Sequence, residues 1–302
     1  MLNVNGFNVA QFFLKPNFVL GAADPEMNAI ESALTALGVP FCFALAQDAQ
    51  GNWGRVHPGN AYKATQTGFI MDDGSVRLEG IRKESGAYVE CEVAGVELAN
   101  RIDHHRPGDR GYGRGPAEYW EASSIGQVYA FLQAWGKVHL VLGWDQGTLD
   151  RAFGPERLLI AASDHCPSHA YAGKCPDVDV AALRAMRRRN AAAFQKKSAM
   201  DFDREVEAAR QALLECPATT LGGFEYRIAF EHIPQLNHAQ LELGIPVQYT
   251  AAGTPRDPRI KVGLLGGEPA LIRLWMEEKK VLLDDVYGDP ERGYAGGYQP
   301  QR

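Results

Sequence analysis

Residues 17 to 45 read NFVLGAADPEMNAIESALTALGVPFCFAL. Residues 17–23 form an apolar run closed by Asp24-Pro25-Glu26, as a buried strand would be. Met27, Ile30, Leu34 and Leu37 then recur at helical spacing, and 39–45 reads as a second strand. A strand, a helix and a strand in such close succession make a β-α-β unit, whose strands lie parallel. Its first strand runs into carboxylates at the edge where open α/β sheets take up ligands.

Downstream, residues 46–85 are polar, with Gly51, Gly54, Gly59 and Asp72-Asp73-Gly74, and predict a hairpin-bearing insertion. Strands are expected over 88–91 and 98–102, a helix over 125–135, and a short strand over 158–162 that ends at Ser163-Asp164-His165-Cys166. The stretch 178–216 is helical and charged, with Arg187-Arg188-Arg189 on a solvated face, and predicts an inter-domain helix. Past Thr220, strands over 224–230, 247–249 and 260–265 alternate with Pro and Gly turns. The chain closes on a glycine-rich segment, 287–298, and carries no internal repeat.

With 302 residues, 45% hydrophobic and 23% charged, the chain suits one large domain or two moderate ones. A net charge of -6 argues against a long duplex as partner but allows a small anion held locally. No apolar run reaches the ~18 residues of a membrane span. Met1-Leu2-Asn3-Val4-Asn5 lacks a basic segment before an apolar core, so no export signal is expected. Five scattered cysteines make no disulfide framework, and a reducing cytoplasm is the expected setting.

The chemistry gathers at Asp103-His104-His105, where a strand gives way to a Gly-rich loop leading to Ser123-Ser124. Asp24/Glu26, Glu90 or Glu92, and Asp164/His165 repeat the same form, an apolar strand ending in carboxylate or imidazole. Parallel strand ends lie side by side, so these groups can converge. Such donors suit Mn²⁺, Mg²⁺ or Zn²⁺, and two ions would clamp the attacking and leaving oxygens of a phosphoryl transfer. Other readings stay open: Asp24 as a helix N-cap with Glu26 as first-turn acid, and Asp164 as a local cap. Arg106, Arg110 and Arg114 either fork onto phosphate or face water. His57 either reaches the site or lies on a surface loop. Asp164, His165, His169, Cys166 and Cys175 do not have a standard zinc spacing, and Cys166 as nucleophile would need His165 or His169 as base.

This series resembles the DHH phosphoesterase superfamily with its DHHA1 partner domain. Asp24-Pro25-Glu26 matches the Asp-x-Asp part of the first motif, Asp103-His104-His105 the third, and Asp164 the fourth. Leu20 stands where the first motif has His, Glu26 where it has its second Asp, and Glu90 or Glu92 where the second motif has Asp. The final Gly288 to Gly297 segment is similar to the glycine-rich substrate loop of DHHA1, without its His.

The resemblance implies an α/β fold, with a parallel-sheet DHH-like domain over 1–195 carrying the 46–85 insertion. A linker helix over 196–220 and a smaller α+β DHHA1-like domain over 221–302 follow, with the site in the cleft between the domains. Asp24, Glu26, Glu90, Asp103, His104 and Asp164 would hold one or two Mn²⁺ or Mg²⁺ ions. His105 and Arg106 would act on the phosphoryl group, and Ser123, Ser124, Arg292, Gly296 and Gly297 on the rest of the ligand. The implied activity is hydrolysis of a small phosphorylated ligand, such as a nucleotide, cyclic dinucleotide or short oligonucleotide. The loss of the histidine at Leu20 implies a weakened second ion, or an inactive sensor of a phosphorylated metabolite. A homodimer is compatible with either.

Overall fold

In the computed structural model, which describes residues 2–9, 16–48, 50–81, 83, 86–139, 144–253 and 258–300, a hairpin of β1 (Leu2–Val4) and β2 (Phe7–Val9) comes first. The β-α-β unit follows as β3 (Asn17–Leu20), α1 (Pro25–Ala36) and β4 (Phe41–Gln47). Asp24 is the N-cap of α1, its carboxylate accepting from the Met27 amide at 2.7 Å. Pro25 takes the first helical position, where no amide hydrogen is needed. Met27, Ile30 and Leu34 are buried, so the periodic face is the one that packs.

The insertion supplies β5 (Trp53–Arg55), β6 (Gln66–Ile70) and β7 (Val76–Leu78), all antiparallel to their neighbours. Then come β8 (Gly86–Val89) and β9 (Asn100–Ile102). The sheet runs β7-β6-β4-β3-β8-β9, with β5 also on β4, and β4, β3, β8 and β9 are parallel. Four helices complete this part: α2 (Tyr119–Ala122), α3 (Ser124–His139), α4 (Gln146–Phe153) and α5 (Arg157–His165). Adjacent residues of β3 point to opposite faces. Phe18 meets Phe131 of α3 edge-on at 5.5 Å between ring centres, while Val19 packs with Cys42, Ala44 and Tyr88.

The strand expected over 158–162 is helix. Five apolar residues are too few for periodicity to separate the two, and Leu and Ala favour helix. Asp164 therefore sits in the last turn of α5 rather than at a strand end.

The chain divides into two compact units, one of residues 1–112 and 119–164, the other of 113–118 and 165–302. This differs from the expected boundary at 195 and linker over 196–220. The second unit contains α6 (Pro167–Tyr171), α7 (Val180–Phe194) and α8 (Ala199–Glu215). Its sheet comprises β10 (Ala218–Leu221), β11 (Phe224–Ala229), β12 (Val247–Ala251), β13 (Lys261–Leu265), β14 (Asp284–Asp289) and β15 (Tyr294–Tyr298). Two further helices, α9 (Leu236–Leu243) and α10 (Pro269–Lys279), interrupt it. Ala209 and Leu213 of α8 share a core with Ala229, Leu236 and Val247, and both charged helices fall within this unit. Arg188, expected to face water, pairs with Glu242 at 2.6 Å and Asp203 at 3.0 Å. The strand order is β10-β11-β12-β13-β15-β14, with only β11 and β12 parallel among neighbours. Among the described residues no helix is long and apolar enough to cross a membrane.

Register positions the candidate site. Leu20 pairs with Val89, and Val89 with Ile102, so β3, β8 and β9 end level. The next residues are Gly21, Glu90 and Asp103. Gly21 is required by contact: a methyl group there would sit 2.5 Å from the Glu90 carbonyl oxygen and 3.0 Å from that of Val89. Glu90 itself has φ of 52°, a left-handed conformation costing a non-glycine residue about 1–2 kcal/mol. A Gly21→Ala chain should lose about 1–3 kcal/mol of stability, the usual cost of overpacking. Urea unfolding would show it as a lower midpoint at unchanged slope.

Candidate metal centre

From the level strand ends, Glu90 follows β8 and Asp103-His104-His105 follows β9. The loop beyond folds back closely: a methyl group on Gly111 would lie 2.6 Å from the His104 Cβ and 2.0 Å from the Ala122 carbonyl oxygen. Asp164 arrives from the last turn of α5 and Glu26 from the first turn of α1.

Glu90, His104, His105 and Asp164 each bring a donor atom within 4.8 Å of the others, as a metal site requires. His104 is the hub. Its Nε2 lies 3.1 Å from Asp164 Oδ2, 3.4 Å from Glu90 Oε1 and 3.8 Å from Glu26 Oε2. The side chains of His104 and Glu26 are fully buried, whereas Asp164 and His105 keep 29% and 34% of theirs exposed. The cluster therefore has a closed floor and an open mouth.

One ring nitrogen carries one proton and cannot satisfy three carboxylates. Glu26 Oε1 accepts from the Ile125 amide at the start of α3, at 3.0 Å, but its buried Oε2 has no hydrogen-bond donor. Burial, then Asp164 and Glu90, push the Glu26 carboxyl well above the ordinary range. Burial, then Glu90 and Asp164, push Asp24 up to about 7. Burial also raises Glu90, but the His104 hydrogen bond and the two imidazole charges outweigh it and leave Glu90 below its usual value. A divalent cation could offset this surplus of negative charge. Oxygen-rich donors with imidazole fit Mn²⁺ or Mg²⁺.

Other expected site residues lie elsewhere. Asp103 does not join the four converging donors. Its Oδ1 accepts from the His104 and His105 amides at 2.7 and 3.1 Å and from His105 Nδ1 at 3.0 Å, and its Oδ2 accepts from the Tyr62 hydroxyl at 2.9 Å. His105 lies among the converging donors, and Asp103 accepts from its ring. Arg106 stacks 3.6 Å from the Tyr62 ring centre and bonds Glu92 at 3.0 Å, rather than presenting a fork to the cluster. Glu92, the alternative to Glu90, is engaged by Arg101 and Arg106. Arg110 stacks on Phe7, and Arg114 pairs with Glu118.

Ser123 and Ser124 are fully buried at the start of α3, with Ser123 Oγ donating to the Trp120 carbonyl. The His165 ring lies 3.0 Å from the Arg114 carbonyl oxygen, outside the cluster. His57 Nδ1 accepts from the Gly59 amide in its own turn. Cys166 and Cys175 lie sulfur to sulfur at 3.2 Å, and among the described residues no zinc-like group forms around them. The expected glycine-rich loop of the second unit is the β14–β15 hairpin. Arg292 in its turn donates to the His165 carbonyl at 2.8 Å, and Gly296 and Gly297 lie buried within β15.

Tyr62 and Gln127 carry no sequence signal, yet both brace the tripeptide. The Gln127 amide nitrogen donates to the Asp103 carbonyl at 3.0 Å.

No protein-family model and no curated protein matches the chain. Among solved structures, a pGpG-specific phosphodiesterase, PggH from Vibrio cholerae, is similar over 95% of this chain and 93% of its own. The identity is 11% and the TM-score 0.36, a likeness too weak to carry function across.

Removing one buried charge should separate the two states of the centre. In metal-free protein at a pH high enough to ionise the raised Glu26 carboxyl, Glu26→Gln relieves like-charge repulsion and should raise the melting temperature by about 2–4 °C, roughly 1 kcal/mol for a unit of this size. The same change should shrink the further rise produced by Mn²⁺. Thermal melts in chelator and in Mn²⁺ would show both, and a lowered metal-free melting temperature would contradict the charge argument.

Proposed function

We propose that this protein is a metal-dependent phosphoesterase, a divergent member of the DHH superfamily. Its substrate would be a small phosphorylated ligand such as a nucleotide, a cyclic dinucleotide or a short oligonucleotide. The observation that carries the reading is the convergence of Glu90, His104, His105 and Asp164 beside a buried Glu26 oxygen with no donor. A surplus of buried carboxylate around imidazole is costly unless a cation offsets it.

Glu26, Glu90, His104 and Asp164 would hold Mn²⁺ or Mg²⁺, with Asp24 at the margin. Such an ion polarises phosphoryl oxygens and lowers the pKa of water. Held at Nδ1 by Asp103, His105 would ligate the ion or take a proton at the open mouth. The buried floor keeps bulk water from the carboxylates, which strengthens their hold on charge.

One observation favours a second reading, a catalytically inactive sensor of a phosphorylated metabolite. Leu20, where the resemblance implies a histidine ligand, is fully buried and apolar.

The test is product release from mono-, di- and cyclic dinucleotides in Mn²⁺, with wild type beside His104→Ala. Release that falls at least about 100-fold in the variant, beyond the 10–100-fold typical of an outer-shell partner, supports hydrolysis at this centre. Absence of release, with one ligand raising the melting temperature of the wild type alone, turns the assignment to the sensor.

A further inference from the structure

Tyr62 belongs to no motif and comes from the insertion, far in sequence from the residues it meets. Its hydroxyl donates to Asp103 Oδ2 at 2.9 Å. The other oxygen, Oδ1, takes the two amides and the His105 ring. Both oxygens are thereby fixed, and the carboxylate plane with them. The Tyr62 ring is clamped in turn by the Arg106 guanidinium, 3.6 Å from its centre, and Arg106 is anchored at 3.0 Å on Glu92. Side chains from separate segments thus form one line: Glu92, Arg106, Tyr62, Asp103, His105.

We infer that Tyr62 is a positioning residue that acts through Asp103 to hold the His105 ring in the orientation and tautomer the centre uses. The inference deepens the proposed metal-centre reading and rests on it for its functional meaning. The physical reasoning is the same as for any imidazole at a metal. The partner of one ring nitrogen decides which face of the ring the other presents, and a loose partner weakens the site. A carboxylate held on one side alone can rotate about its bond to Cβ, and each rotation carries the His105 ring off its line. Tyr62 stops that rotation, and Arg106 holds Tyr62 in place by stacking and by charge.

This assigns Arg106 a task different from gripping phosphate. It also gives the antiparallel insertion a purpose in the site, because the extra strands carry the segment that brings Tyr62 alongside the parallel sheet. The short helical turn Ala61–Lys63 bears Tyr62, and the amide of the next-but-one strand's neighbour, Thr65, bonds the Leu45 carbonyl at 3.0 Å, tying that segment to β4.

The experiment compares wild type, Tyr62→Phe, Arg106→Gln and the double variant. Tyr62→Phe keeps the ring and its stacking and removes only the hydroxyl. Two readouts are taken: Mn²⁺ affinity by calorimetry, and the His105 imidazole nitrogens of metal-free protein by ¹⁵N-¹H correlation spectra. Tyr62→Phe should bind Mn²⁺ about 10-fold more weakly, the lower end of outer-shell effects. Its metal-free melting temperature should stay near wild type, and the single His105 tautomer, protonated at Nδ1, should give way to a mixture. Arg106→Gln should weaken binding in the wild type and add nothing in the Tyr62→Phe background, since both act on one line. An unchanged His105 ring overturns the inference, as does unchanged Mn²⁺ affinity in a protein that binds the ion. If wild type binds no Mn²⁺, the metal-centre reading falls, and the ring signals alone decide whether Tyr62 positions His105.

Discussion

Glu26, Glu90 and Asp164 all turn toward one nitrogen of His104, and the rest of the first unit can be understood as what makes that crowding bearable. Left alone, such a set would spread apart or take up protons. The burial of Glu26 prevents the first, and the raised protonation of Glu26 and Asp24 is the mark of the second. The Ile125 amide gives Glu26 one donor at the positive end of α3, which favours a carboxylate there. Glu90 accepts an unfavourable backbone conformation to stay in place. Local discomfort of this kind is concentrated at neighbouring residues of one cluster.

Much of this was legible in the sequence, for a definite reason. The β-α-β unit announces itself through helical spacing at Met27, Ile30 and Leu34 between two apolar runs, and parallel pairing then forces strand ends together. Carboxylates and imidazoles placed after those runs had to meet. Of Asp24, Glu26, Glu90, Asp103, His104 and Asp164, the metal-holding residues expected on that basis, Glu90, His104 and Asp164 are among the converging donors, and Glu26 lies 3.8 Å from His104 Nε2. Asp164 converges although its strand is a helix, because burial of Ala161 and Ala162 brings the end of α5 to the same place.

What was not legible depends on rotamers and on distant contacts. Asp-His-His gives residue types but not which side chains converge: His105 lies among the four donors, while Asp103 turns to the Tyr62 hydroxyl and the His105 ring. Arg106 lies in a Gly-rich loop, and nothing in its neighbours in sequence reveals that its guanidinium rests on an aromatic ring from the insertion. The terminal glycines are expected to form a substrate loop through their likeness to the glycine-rich loop of DHHA1. In β15 they serve another need: a methyl group on Gly296 would come within 2.9 Å of the Tyr287 ring on the neighbouring strand.

The level ending of β3, β8 and β9 also bears on how the protein is made. A slip of one residue between β8 and either neighbour would turn every side chain of the slipped strand to the opposite face. Glu90 would then leave the cluster while Phe18 and Val19 lost their partners. The donors are thus correct together or wrong together, with no half-built state to bind an ion weakly. Parallel pairing also joins segments that are remote along the chain, which is a slow event in folding. The four donors accordingly come together only on completion: a nascent or misfolded chain has no such cluster, and the native chain has the whole set at once.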